Sequence, residues 1–306
     1  MSGNISAVDA RIIAGAALGS ITGPDGATDE QLTILRTIAG HVWGVDDLDL
    51  SPGAALSATD AALMLSDPML RRRARELMVL LEMCRHPLEA AHAQRVEDYC
   101  HALGGDGPGI ELIRDFMSSG ADAAVADWMR RYEPLAPATM EPEMIELAAA
   151  DEATAGARFQ EIEGALRAAA PGTLGAAFID FYDRNGFTIG PESIPLFGHD
   201  MAHVIGGYDA TPIGEICIGA MKVMVTDSDA HWIEFLGNVM IHETGILLPG
   251  YEPHEPALKD DERIEMMVTA MDRGRRTERD FSVGEHMSMI DWKYEDVLEH
   301  YGVPPL

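Results

Sequence analysis

Cysteine is scarce in this chain of 306 residues: Cys84, Cys100 and Cys217 are far apart and form no C-x-x-C pairing. That excludes a disulfide framework and a thiolate metal site, and it suits a reducing, cytoplasmic setting with the thiols as small core groups. Basic residues are also few, 22 against 51 acidic, for a formal net charge of −29. Such a surface repels phosphate backbones over long distances, so nucleic acid is not expected as a partner. No apolar run reaches the roughly 18 residues a membrane span needs. The opening MSGNISAVDARIIAGAALGS lacks the basic region of a signal peptide. Neither a glycine-rich phosphate loop nor a G-x-S-x-G word is present. Strand-like patterning is nearly missing too, since KVMV at 222–225 sits inside a longer helical pattern.

What is present reads as helix almost throughout. Ile12, Ile13, Ala16, Ala17 and Ile21 share one face, GPDG at 23–26 is a turn, and Leu32, Leu35, Ile38, Ala39 and Val42 recur at three- and four-residue steps. Thr28 stands as N-cap of that second helix, with Gln31 at the capping-box position. A similar order returns about 61 residues later: Leu77, Leu80 and Leu81, a break at His86-Pro87, then Val96, Tyr99, Cys100 and Leu103 before GGDGPG. Two loosely repeated helical hairpins predict one bundle. His41, His86, His92 and His101 lie in this half without ligand-type partners at metal spacing.

The stretch YEPLAPATMEPE, residues 132–143, carries three prolines and little periodicity, and reads as a linker. Charge changes across it, from net −9 over residues 1–139 to net −20 over 140–306. Beyond it run alanine-rich helices through Ile145, Leu147, Ile162 and Leu166, then TLGAAFIDFYDR ending at Asn185-Gly186. The expectation is an all-α protein of two helical bundles joined by a proline-rich linker, 1–135 and 140–306.

The most informative stretch is FGHDMAHVIGGYDATPIGE, residues 197–215. On a helix, His199, His203 and Asp200 point at relative angles of about 0°, 40° and 100°, so all three can face one point. The helix should stop at Gly206-Gly207, and the next should begin at Thr211-Pro212, an N-cap followed by proline at the first helical position. Glu215 then lies on the first turn of a returning helix. Two imidazoles and two carboxylates suit zinc, with manganese or ferrous iron also compatible. On residue types alone, a second reading stands beside it: polar residues at a helix end, hydrogen-bonded locally.

HDMAHVIGGYDATPIGE resembles the H-D-x-x-H-(x)11-E zinc motif of coenzyme Q (ubiquinone) biosynthesis family Coq four. All four motif positions are filled, by His199, Asp200, His203 and Glu215, and Gly207-Tyr208 and Gly214-Glu215 also match. MDRGRRTERDF and IDWKYEDVLEHYGVP resemble the family's closing segments, which extends the likeness over about 140–306. The resemblance implies an all-helical, peripheral protein at the inner membrane, with zinc or another divalent metal beside a groove for an isoprenoid tail. It also implies action on the head ring of a prenylated aromatic acid, by C1 decarboxylation and hydroxylation, among other quinone-biosynthesis proteins, with oligomers not excluded. GPDGATDEQLTIL resembles the acidic turn of tellurite-resistance B-like helical domains, a likeness assigned to residues 8–130. The extra amino-terminal helices and the acidic surface depart from the Coq four pattern.

Other residues are candidates for the substrate-lining wall: Tyr208, His231, Glu234, His242 and Arg273. His231, Glu234, Asn238 and His242 share one helix face, but His231 and His242 stand roughly 16 Å apart and cannot reach one metal. His242-Glu243 starts an H-E-x-x-H word that fails, since residue 246 is Ile. Arg273–Arg276 reads either as an anion contact or as a helix end paired with Glu262, Glu278 or Asp280. Abundant methionines, among them Met201, Met221, Met240 and Met267, suit an adaptable groove and an ordinary core equally. Two other functions remain open: a non-catalytic isoprenoid-binding scaffold, and a His-Asp phosphohydrolase, which would need a further upstream His and a downstream Asp.

Overall fold

The computed structural model describes residues 5–105, 121–194, 196–226, 228–243 and 255–306. Among these the chain is all-α, with no strand and only two isolated β-bridges. In the amino-terminal half, α1 (Ala7–Ile21), α2 (Asp29–His41), α3 (Ala58–Met64), α4 (Pro68–Met83) and α5 (Ala90–Ala102) follow in order. The Thr28 hydroxyl accepts from the Gln31 N–H, and the Gln31 side chain accepts from the Thr28 N–H, closing the expected capping box. The break at His86-Pro87 falls between α4 and α5. α1 is buried from Ile13 to Ile21 without interruption, because it packs against α3, α4 and α5 together. Small residues at Ala14, Gly15, Ala16, Ala17 and Gly19 let those neighbours close on it. The expected GGDGPG stretch runs from Gly104 past the described residues.

The carboxyl-terminal half carries α6 (Ala121–Tyr132), α7 (Pro142–Ala148), α8 (Glu152–Ala168), α9 (Leu174–Asn185), α10 (Phe197–Gly206), α11 (Pro212–Val225), α12 (Asp229–Glu243), α13 (Asp261–Arg276) and α14 (Tyr294–Tyr301). KVMV is helical, in the last turn of α11. Ile145, read as a core position, is 43% exposed, and Met144 and Leu147 form the buried face of α7 instead. Within 132–143 the chain makes a short 3-10 turn at 136–138, and Thr139 and Glu141 are buried. Glu141 accepts hydrogen bonds from the backbone N–H of His286 and pairs with its imidazole, tying this stretch to the end of the chain.

The core runs through both halves. α2 lies on α13, and α12 lies on α4 and α6, so apolar residues from Ile13 to Val303 belong to one packed cluster. No helix among the described residues is long and apolar enough to cross a membrane. α11 packs along α13 with a close approach that glycine permits: a Cβ at Gly274 would stand 2.2 Å from the carbonyl oxygen of Met221. Gly274→Ala therefore forces the two helices apart. We expect a loss of about 1–3 kcal/mol in urea unfolding, and an unchanged midpoint would refute the close approach.

Candidate metal centre

α10 and α11 form the hairpin that the glycine break predicts. Gly207 closes α10 in the left-handed region at φ 78°, and its N–H donates to the His203 carbonyl at 2.9 Å. Thr211 caps α11, accepting from the Gly214 N–H, and Pro212 occupies the first helical position. Glu215 is thus returned to the face of α10 that carries the histidines.

Three donor atoms meet there. His199 Nε2 lies 3.3 Å and His203 Nε2 lies 3.2 Å from the same oxygen, Glu215 Oε2. Ligands at about 2.0–2.1 Å from a tetrahedral metal are separated from one another by roughly 3.3–3.4 Å, so these spacings fit a zinc-sized ion as well as they fit an ion pair. The partners of the two outer nitrogens let each Nε2 turn a lone pair to a metal once the ion-pair proton has left His199. His203 Nδ1 lies 3.0 Å from the Tyr208 carbonyl, which can only accept, so Nδ1 carries the proton. His199 Nδ1 faces Asp200 Oδ1 at 3.4 Å. A second group holding the far nitrogen in this way is the usual outer support of a metal-bound imidazole.

Asp200, expected as a fourth ligand, is placed one step back from the three donors. Its Oδ2 accepts a 2.6 Å hydrogen bond from the Tyr182 hydroxyl, and its other oxygen faces the outer nitrogen of His199. Phe181 stacks on the His203 ring with centroids 5.5 Å apart, and Phe178 packs between Tyr182 and Phe197. These aromatic contacts from α9 fix the imidazole from behind.

A cavity of about 460 Å³ opens on two of the three donors, His199 and Glu215, and is lined by Trp128, Tyr132, Tyr182, Phe187 and Leu196 together with Asp200, Glu234 and Asn238. A second cavity of about 750 Å³ lies on the other side of His203, bordered by Tyr208, Asp180, Asp183 and Asp209. Of the wall candidates, Glu234 lines the first cavity and Tyr208 the second. His231 is buried elsewhere, its Nδ1 on the Thr226 carbonyl and its Nε2 on the Ser282 hydroxyl. His242 lies near the end of α12, two turns beyond Glu234, where its carbonyl accepts from the Ala257 N–H. Arg273 donates to the Gly206 and Pro304 carbonyls and lies over the Tyr208 ring, fastening the end of α10 to the chain's last residues. Arg275 and Arg276 both pair with Asp272 rather than with Glu262, Glu278 or Asp280.

One important residue escaped the sequence reading. Lys222, 2% exposed, donates to both oxygens of Glu234 at 2.6 and 2.7 Å inside the protein. Burial would raise the Glu234 pKa, but Lys222 above all, then His199, brings it below the ordinary value. Glu234 Oε1 is 3.7 Å from His199 Nε2, so a second carboxylate stands beside the donor group. The signal was available as a lone lysine in the apolar helix ICIGAMKVMV. Its partner on another helix was not.

Electrostatics bind the donors together without a metal. Burial pulls the His199 pKa down, but the Asp200 and Glu215 carboxylates, with Glu234 behind them, hold it up at about 10. Burial likewise opposes Glu215, and the two imidazoles hold it well below the usual carboxylate range. Since the folded pKa of His199 lies above its ordinary 6.5, this ion pair stabilises the metal-free fold fully below about pH 6.5 and ceases to do so as pH rises through about 10.

No family model and no curated protein matches the chain. Among solved structures, a crystal structure from Nostoc punctiforme PCC 73102, described as a "Putative ubiquinone biosynthesis protein", is similar at 17% identity. The match covers 76% of this chain and 99% of that one, with a TM-score of 0.35.

Two outcomes test this geometry. Zinc must displace the His199 proton, so calorimetry at pH 7.5 in buffers of different ionisation enthalpy should show about one proton released per metal bound here, with affinity weakening about tenfold per unit as pH is lowered from 9 to 7. Proton-neutral binding with flat affinity would overturn the ion-pair assignment. Lys222→Met, which leaves Glu234 buried and unpaired, should lower unfolding stability by about 3–5 kcal/mol, with most of it regained on adding Glu234→Leu. A loss under about 1 kcal/mol for the single variant would show the pair to be unimportant.

Proposed function

We propose that the protein holds a divalent metal, zinc by ligand type, on His199, His203 and Glu215, and acts on the head ring of a prenylated aromatic acid in quinone biosynthesis. The observation that carries this reading is the convergence of two imidazoles and one carboxylate, of which His199 and Glu215 line an aromatic-walled cavity. The Coq four motif, filled at all four positions, supports the choice of substrate class.

Three protein donors are the number associated with a metal that keeps a position for substrate, whereas structural zinc sites are closed by four. Bound there, the metal would supply Lewis acidity toward a carboxylate or phenolic oxygen. Asp200 and the Tyr208 carbonyl orient the two imidazoles. Tyr182 in turn holds Asp200. Glu234, kept ionised by Lys222, lies where it can take a proton from a ring substituent in the same cavity. The volume suits a small aromatic ligand, and Trp128, Tyr132 and Phe187 offer faces for its ring. Phe187 and Leu196 line the cavity and remain 40% and 51% exposed, which fits an isoprenoid tail leaving toward a membrane surface or a partner. The chemistry proposed is removal of the ring C1 carboxyl as carbon dioxide with hydroxylation at that carbon, in which water supplies the hydroxyl oxygen and an external two-electron acceptor takes up the two electrons and two protons released, since zinc is redox-inert.

A binding-only role uses the same residues, and one observation favours keeping it as the second reading: the His199–Glu215 ion pair is complete without a metal. The phosphohydrolase reading has no such support, since the third gathered donor is Glu215 rather than a downstream aspartate.

Elemental analysis of purified protein should find a divalent metal that His203→Ala and Glu215→Ala each reduce by one equivalent while the helical circular dichroism is retained. Unchanged stoichiometry in both variants would sink the site. Mass spectrometry of co-purified lipid should then show a prenylated benzoate converted on incubation with the metal-loaded protein. Its persistence unmodified would leave binding without turnover.

A further inference from the structure

The structure gathers a second set of ligand-type side chains at the meeting of the two halves, from residues 56 and 157 positions apart in sequence. Glu30 lies on the first turn of α2, His86 follows the end of α4, and Glu243 is the last residue of α12. One donor atom from each lies within 4.8 Å of the others. We propose that Glu30, His86 and Glu243 form a second divalent-cation site, of the zinc and manganese class, that fastens the amino-terminal helices to the end of α12.

Several features beyond proximity support it. The Glu243 side chain is fully buried, and its two oxygens are oriented differently: Oε2 accepts from the Leu258 N–H at 2.7 Å, and Oε1 faces His86 Nε2 at 2.8 Å. Glu30 Oε1 is buried without any hydrogen-bond partner. Neither carboxyl group pairs with a lysine or arginine among the described residues, and the basic group beside Glu243 is the His86 imidazole. Two carboxylate oxygens and one imidazole nitrogen are a donor set that zinc and manganese accept. A third grouping, Asp25, Glu89 and His92, is less suited, because Arg85 stands 3.1 Å from the His92 ring nitrogen and both carboxylates are exposed.

The proposed site is separate from the candidate metal centre. Glu243 lies nine residues beyond Glu234 on α12, a rise of roughly 14 Å. A cation here would cross-link α2, the α4–α5 junction and α12, and would hold α12 by its far end while Glu234 and Asn238 face the cavity.

The rival occupant is a proton shared by the two carboxyl groups. To separate the two, the full chain is freed of metal by chelator dialysis and titrated with zinc chloride, and bound metal is counted after gel filtration. The variant His203→Ala/Glu215→Ala, with the first site disabled, should still bind one equivalent, and that equivalent should raise its melting temperature. Adding Glu243→Gln or Glu30→Gln should abolish both effects, and so should His86→Ala, whose side chain is partly exposed and whose loss leaves no cavity. Circular dichroism checks the fold in each case. No zinc bound by the double variant, or one equivalent that survives both Glu243→Gln and His86→Ala, overturns the proposal. Failure of the first site appears instead as unchanged stoichiometry on His203→Ala in the otherwise intact chain.

Discussion

The carboxylate of Glu215 is the point on which the candidate centre depends, because one of its oxygens serves two imidazoles from another helix. That contact requires α10 to end where it does and α11 to return at once. Gly207 supplies the left-handed turn, and Thr211 with Pro212 restarts the helix within a few residues. Lengthening the connection or removing the left-handed residue would move Glu215 off the histidine face. The cost of drawing these charges from water is met only by their mutual attraction. An uncompensated member of the set would be strongly unfavourable, and each imidazole has a partner behind it, the Tyr208 carbonyl for His203 and Asp200 for His199.

A buried pair next to this set extends the same logic. Lys222 and Glu234 neutralise each other inside the core, so Glu234 can remain ionised at the cavity wall while adding little net charge to the site. Without the lysine, Glu215 and Glu234 would put two negative charges near one histidine, and burial would push one toward the neutral acid. The ion pair thus separates two carboxylates by role. Glu215 faces the donors, and Glu234 faces the cavity beside them. α13 comes closest to α11 at Gly274, against Met221 and Met224, which flank Lys222 in the chain.

Much of this was legible in the sequence because it is local. Capping at Thr28, the ends at Asn185-Gly186 and Gly206-Gly207, and the restart at Thr211-Pro212 rest on neighbours in the chain, where helical period and cap chemistry act directly. Periodicity also gave the all-α class and kept KVMV helical. It failed at Ile145, where two hydrophobic residues compete for one buried face and only packing chooses between them. Helical angles put Asp200 near His199 but could not anticipate that its carboxylate would accept from the Tyr182 hydroxyl, eighteen residues earlier, and face the outer nitrogen of His199. Nor could they show that Arg273 would spend its donors on backbone carbonyls of α10 and the last residues of the chain.

The two ligand groups make the contrast between local and distant encoding plain. His199, His203 and Glu215 lie within seventeen residues, and one hairpin assembles them, so a motif can describe them. Glu30, His86 and Glu243 have no motif, because α2, α4 and α12 meet only through the core common to both halves. Each carboxylate alone reads as an ordinary helix-end residue. Their encounter exists only after the fold has formed, and it is there, where two carboxyl groups meet with no lysine or arginine paired to them among the described residues, that a cation has most to contribute.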